Sequence, residues 1–109
     1  MECRVKVIIT NGDEFCLGPG IVRLLKEIGR TGQVSVASRN LGISYSKAWK
    51  MIRSAESGFG EKMVVRSSGG FSGGSASLSD RCLEYIAAYD AAAGEIEEHA
   101  SAIVKKAFS

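Results

Sequence analysis

The segment QVSVASRNLGISYSKAWKMIRSAES, residues 33–57, limits the fold more than any other part of the chain. Its opening, residues 33–42, suits a short helix: Ser35 can cap near the start, Ala37 is small, and Leu41 faces inward before Gly42 breaks the run. Ile43 then leads to Ser44, a natural N-cap for a second helix over residues 44–57. In that helix Ala48, Met51 or Ile52, and Ala55 recur at the spacing of a buried stripe. Ser46, Lys47, Lys50 and Arg53 are left largely on the outward side. Two short helices joined by a tight glycine turn, the second basic and capped by serine, make a helix-turn-helix pattern.

The flanking segments extend the pattern. Residues 4–10, RVKVIIT, alternate as a strand; Asn11-Gly12-Asp13 supplies a hairpin turn, and residues 14–17, EFCL, return. An isolated hairpin is marginal, so it must pack against a later element of the chain. Residues 18–32 read as a helix. Pro19 sits in the first turn, where its missing N–H costs nothing, Ile21, Leu24, Leu25 and Ile28 recur at helical spacing, and Gly29 and Gly32 close it. Behind the helix-turn-helix, residues 62–66, KMVVR, form a β-branched strand that runs into SSGGFSGGSAS at 67–77. A flexible linker has the same composition, but the strand before it and Phe71 at its centre favour a hairpin. A strand, a glycine-rich loop and a return strand in this position form the wing of a winged helix.

A last helix starts at the Ser79-Asp80 cap. Cys82, Ile86, Tyr89, Ala93, Ile96, Ala100, Ile103 and Ala107 recur at alternating intervals of four and three, a heptad seam over nearly four heptads. Such a helix runs roughly 40 Å, more than a small winged domain covers, so part of it is expected to pack on another chain. The expected fold class is therefore α+β, mainly α: a winged helix-turn-helix with an N-terminal β-hairpin and a long C-terminal dimerisation helix. Residues 1–78 form the winged domain and residues 79–109 the helix, with Ile86, Tyr89, Ala93, Ile96, Ala100 and Ile103 as the dimer seam.

Charge points the same way. Arg30, Arg39, Lys47, Lys50, Arg53, Lys62 and Arg66 face only Glu56 and Glu61 in the middle of the chain, whereas residues 80–109 are net acidic. A cationic centre on a chain of formal net charge +2 fits a polyanionic partner. Other classes find little support. Apolar runs such as residues 7–9 are far too short to span a membrane, and the N-terminus has no signal-peptide core. Cys3, Cys16 and Cys82 have neither zinc nor framework spacing and read as reduced thiols. The glycine loop lacks the Gly-Lys-Ser/Thr of a phosphate-binding loop. His99, the only histidine, lies on a polar helix flank beside Glu98. No enzyme, cofactor or metal is expected.

Within a recognition helix the first residues approach base edges and later ones move toward the backbone. Ser46 and Lys47 are thus base-edge candidates, Lys50 suits either role, and Arg53 suits phosphate. Tyr45 can offer its hydroxyl to a phosphate or its ring to a thymine methyl. Trp49, on the same helix face, reads as packing between this helix and the first. Ser35, Ser44, Arg66, Ser67 and Ser72 complete the expected DNA-contacting set.

The run from Phe15 to Ile52 resembles the N-terminal DNA-binding domain of ModE-type molybdate-responsive regulators. The resemblance is carried by Gly18-Pro19-Gly20, by GQVSVAS at 32–38, above all by GISYSKAW at 42–49, and by the wing GGFSGGSASLS at 69–79. It extends over roughly residues 4–90, and more distantly to the DNA-binding heads of LysR-type regulators. It implies a winged helix that dimerises partly through long helices and binds a near-palindromic operator. The family's C-terminal oxyanion-binding domains have no counterpart in this sequence, so molybdate sensing is not carried over.

The expected function is sequence-specific binding of double-stranded DNA by a cytoplasmic, homodimeric transcriptional regulator without its own oxyanion sensor, gated if at all by a separate effector-sensing protein and not associated with membrane. The competing reading is a winged-helix protein–protein interaction module whose basic face serves only solubility.

Overall fold

The computed structural model describes residues 1–67 and 74–109. The wing's connecting residues, with the expected contact Ser72 and with Phe71, lie outside the described residues. The elements run β1 (Ile9–Asn11), β2 (Glu14–Leu17), α1 (Pro19–Thr31), α2 (Val34–Asn40), α3 (Tyr45–Phe59), β3 (Val64–Ser67), β4 (Ser75–Leu78) and α4 (Asp80–Phe108). This is the mainly α winged helix-turn-helix expected, with both hairpins antiparallel.

The three helices α1, α2 and α3 bury one face each. Ile21, Leu24, Leu25 and Ile28 of α1 meet Ala37 of α2 and the α3 stripe Ala48, Ile52 and Ala55 in one core. The α2–α3 turn depends on Gly42, whose φ of +69° lies in the left-handed region that side chains avoid. It is closed by the Gly42 N–H bonding to the Arg39 carbonyl and the Ile43 N–H to that of Ser38. Ser44 then caps α3, its hydroxyl accepting from the Lys47 N–H at 3.0 Å; such a cap is worth about 1 kcal/mol. Ser35 does not cap α2. Gln33 holds the N-cap position without a side-chain bond, and Ser35 stands exposed in the first turn.

Three further expectations change. The hydrogen-bonded part of the first strand is residues 9–11 rather than 4–10, because β2 ends at Leu17 and offers nothing further to pair with. Residues 5, 7 and 9 still turn inward, and the Tyr89 hydroxyl donates to the Val7 carbonyl at 2.7 Å. Gly29 lies inside α1, which runs on to a cap at Gly32. Likewise α3 does not stop at Gly58 but continues to Phe59. Gly58 is buried against β2, where a Cβ would fall on the Phe15 carbonyl and lie 3.0 Å from Cys16 Sγ. Glycine here answers a close backbone approach, not a helix end.

The wing is tied to this body at both strands. The Glu56 carboxylate of α3 accepts from the N–H groups of Met63 and Val64, and the Ala76 N–H donates to the Gly32 carbonyl at the end of α1. Ser79 caps α4 by accepting from the Cys82 N–H while donating to the Lys62 carbonyl. The first turns of α4 then enter the core through Cys82, Ile86 and Tyr89. Burial pushes the Cys82 thiol up to about 11, with Glu56 adding to the shift. No break in packing therefore falls between residues 78 and 79. Farther on, Ile96, Ile103 and Phe108 are 45%, 55% and 64% exposed.

Candidate nucleic-acid interface

Burying Ala48, Ile52 and Ala55 fixes the rotation of α3, and with it which side chains face water. Tyr45, Ser46, Lys47, Lys50 and Arg53 are all exposed, as is the cap Ser44. Among the described residues none of these cations has a carboxylate partner. The ion pairs seen there, Lys26–Asp90, Arg30–Glu27, Arg81–Glu61 and Arg81–Glu84, involve α1, α4 and the turn after α3. The outer face of α3 thus carries uncompensated positive charge, which costs self-repulsion in the free protein and is relieved when a polyanion docks.

The wing adds to this face. Arg66, exposed on β3, places its guanidinium 4.8 Å from the centroid of the Trp49 ring, and Tyr45 meets the same ring edge-on at 6.4 Å and 73°. Trp49 therefore meets the wing through Arg66 while also packing against the core. The reason is rotation: with Ala48 and Ile52 buried, position 49 falls on the flank next to β3. Its Nε1 is buried without a hydrogen-bond partner among the described residues. Around the ring lies an open cleft of about 510 Å³ whose lining includes Arg53, Lys62 and Arg66. Glu56 also lines it, but its carboxylate is already taken up by the two N–H groups of the wing.

The sequence-expected residues separate by position. Ser44, Tyr45, Ser46, Lys47, Lys50 and Arg53 come together on one face, with Arg66 beside them. Ser67 is exposed at the end of β3, paired with Ser75. Ser35 is exposed on α2. Lys62 was not among the expected contacts; the sequence shows it only as the basic first residue of the expected strand 62–66, whereas the observed strand begins at Val64 and leaves Lys62 at the base of the wing beside α3. Of the expected dimer seam, Ile86 and Tyr89 are buried in the chain's own core and Ala93 packs against it, so these three serve the monomer's interior. Ile96 and Ile103 remain exposed, with Ala100 between them on the seam.

Comparison with known proteins bears on the same region. Residues 21–81 match the family described as bacterial regulatory helix-turn-helix protein, lysR family. That span runs from the first turn of α1 through the wing to the start of α4. The chain is 39% identical over 75 residues to the molybdenum-pterin-binding protein MopB of Rhodobacter capsulatus, covering 69% of this chain and 28% of that protein. It is 37% identical over 90 residues to the transcriptional regulator ModE of Yersinia pestis, covering 83% of this chain and 34% of the relative. Over 90 residues it is 29% identical to the DNA-binding transcriptional dual regulator ModE of Escherichia coli K12. The chain spans about a third of the length of these curated relatives.

Proposed function

Since the chain belongs to the lysR family of bacterial regulatory helix-turn-helix proteins, we propose that it binds double-stranded DNA sequence-specifically, as a homodimer, and regulates transcription in the ModE manner. The observation that carries this reading is the face of α3: a serine-capped helix with Ser46, Lys47, Lys50 and Arg53 exposed, its cations unpaired among the described residues, and an arginine of the wing stacked beside it.

On this reading α3 enters the major groove. Ser46 and Lys47, in its first turn, reach base edges; Lys50 reads a base or holds phosphate; Arg53 and Arg66 hold phosphates on either side of the wing-side cleft. Lys62 joins them there. Two copies, joined through the exposed α4 seam of Ile96, Ala100 and Ile103, present two such helices about one helical turn apart. The molybdenum chemistry named for one relative is not assigned to the residues described. No helix among the described residues is long and apolar enough to cross a membrane, and the proposed place of action is the cytoplasm.

The test is duplex binding by fluorescence anisotropy at two stated salt concentrations, with wild type and Lys50→Ala on the tightest-binding site. Loss of about 1–3 kcal/mol confined to that site marks a base contact, and a similar loss on every sequence marks a phosphate contact. Equal affinity of variant and wild type for the best site contradicts both.

A further inference from the structure

A second groove borders α3 on the side away from the wing. It encloses about 970 Å³ between α3 and the N-terminal segment, floored by Phe15, Pro19 and Met51. Its rim carries Lys6 from the N-terminal segment and Lys47, Lys50 and Arg53 from α3, and among the described residues no carboxylate lines it. Among the described residues these four cations have no ion-pair partner. Lys6 is not on a loose tail. Its neighbours Val5 and Val7 turn inward, and the Val7 carbonyl is held by the Tyr89 hydroxyl of α4. The two-residue alternation places Arg4, Lys6 and Ile8 together on the outward side.

We infer that the N-terminal segment, through Lys6, is a second backbone clamp on DNA: it holds the sugar–phosphate strand bordering the major groove on the side of α3 opposite the wing. This rests on the duplex-binding reading above and extends it to a segment outside the helix-turn-helix and wing. Charge complementarity selects the occupant. Four like charges around one open groove repel one another until an anion arrives. Lys47 and Arg53 alone are six residues apart on α3, about 9 Å along its axis, so one small anion cannot serve the whole rim, whereas a duplex can, offering base edges to Lys47 and a phosphate strand to Lys6. The groove is continuous with the face of α3 that would enter the duplex, and its apolar floor suits the carbon face of deoxyribose.

The test is the salt dependence of duplex affinity for wild type, Lys6→Ala, Lys6→Arg and, as a remote control, Lys105→Ala near the far end of α4. Each phosphate contact contributes about 0.9 to the slope of log K against log salt. Lys6→Ala is expected to flatten the slope by about that much, so that its affinity loss between 50 and 200 mM salt is about threefold smaller than wild type's. Lys6→Arg should restore the slope, and Lys105→Ala should leave it unchanged. Wild-type slope in Lys6→Ala, while wild type binds duplex, overturns the clamp and leaves the duplex reading standing. An equal flattening in Lys105→Ala overturns it too, as an effect of net charge. Failure of wild type to bind duplex at either salt overturns both readings.

Discussion

The Arg66 guanidinium lies over the face of Trp49, 4.8 Å from the ring centroid, so the wing strand and the outer helix of the helix-turn-helix share one cation–π contact. A contact of this kind at an exposed site is worth about 0.5–1 kcal/mol. Its larger consequence is positional: it holds a wing cation beside Arg53 and Lys62 before any anion arrives.

Trp49→Leu is therefore expected to weaken duplex binding several-fold while lowering stability by about 1 kcal/mol. Trp49→Phe keeps a ring face and removes an Nε1–H that has no partner among the described residues, so it should retain most of the affinity. Because Trp49 is the only tryptophan, its fluorescence reports the contact directly. Emission should shift in Arg66→Ala without DNA, and in wild type when duplex is added. Unchanged emission in both cases would show that the pair plays no part in binding.

Gly58→Ala should be strongly destabilising for a residue inside a helix, where alanine ordinarily helps. The added Cβ meets the backbone of Phe15, which cannot rotate away, so α3 and β2 must separate. A loss of about 1–3 kcal/mol or more is expected from such overpacking, read as a lower urea midpoint. Gly94→Ala, on open α4, is the control and should be neutral or stabilising. Equal effects at the two positions would contradict the close approach.

These glycines also show what the sequence could and could not reveal. The spacing of Ala48, Ile52 and Ala55, the serine caps at Ser44 and Ser79, and the glycine turn at Gly42 are local signals, and they were legible because a helix dictates its own face and ends. Gly58 and Gly29 looked like helix ends because their cause lies elsewhere, in the backbone of Phe15 and the side chain of Leu78. The outward cations of α3 followed from periodicity. The contact of Arg66 with Trp49, and the meeting of Lys6 with Lys50 in one groove, depend on pairings across the fold that no spacing reports. The heptad spacing on α4 does not say what covers it, and its first residues are taken up by the chain's own core.

Glu27 links α1 to α2. Its carboxylate accepts from Arg30 at 2.6 and 2.9 Å and from Asn40 at 3.0 Å, and these bonds hold its pKa down to about 2 from an ordinary 4.5. A carboxyl lowered on folding stabilises the fold above its unfolded value, and that contribution disappears as pH falls from about 4.5 through about 2. Wild type should thus exceed Glu27→Gln in urea midpoint near neutrality, with the gap closing across that acid window. A gap that stays constant down to pH 2 would contradict the assignment.

On α4, Ile96 and Ile103 are seven residues apart, exposed, and on one face. Ile96→Asp with Ile103→Asp should leave the winged domain folded, because neither side chain enters the core, and should shift the sedimentation equilibrium from dimer to monomer. A monomeric wild type, or a dimeric double variant, would contradict this use of the seam.

The measurement that tests the central claim most directly is selection of bound duplexes from a random library with the purified protein, repeated at two stated salt concentrations. The account predicts an enriched, near-palindromic motif with half-sites about one helical turn apart, recovered at both. Duplexes retained with no shared motif, or none retained at either salt, would contradict a dimeric, sequence-specific regulator.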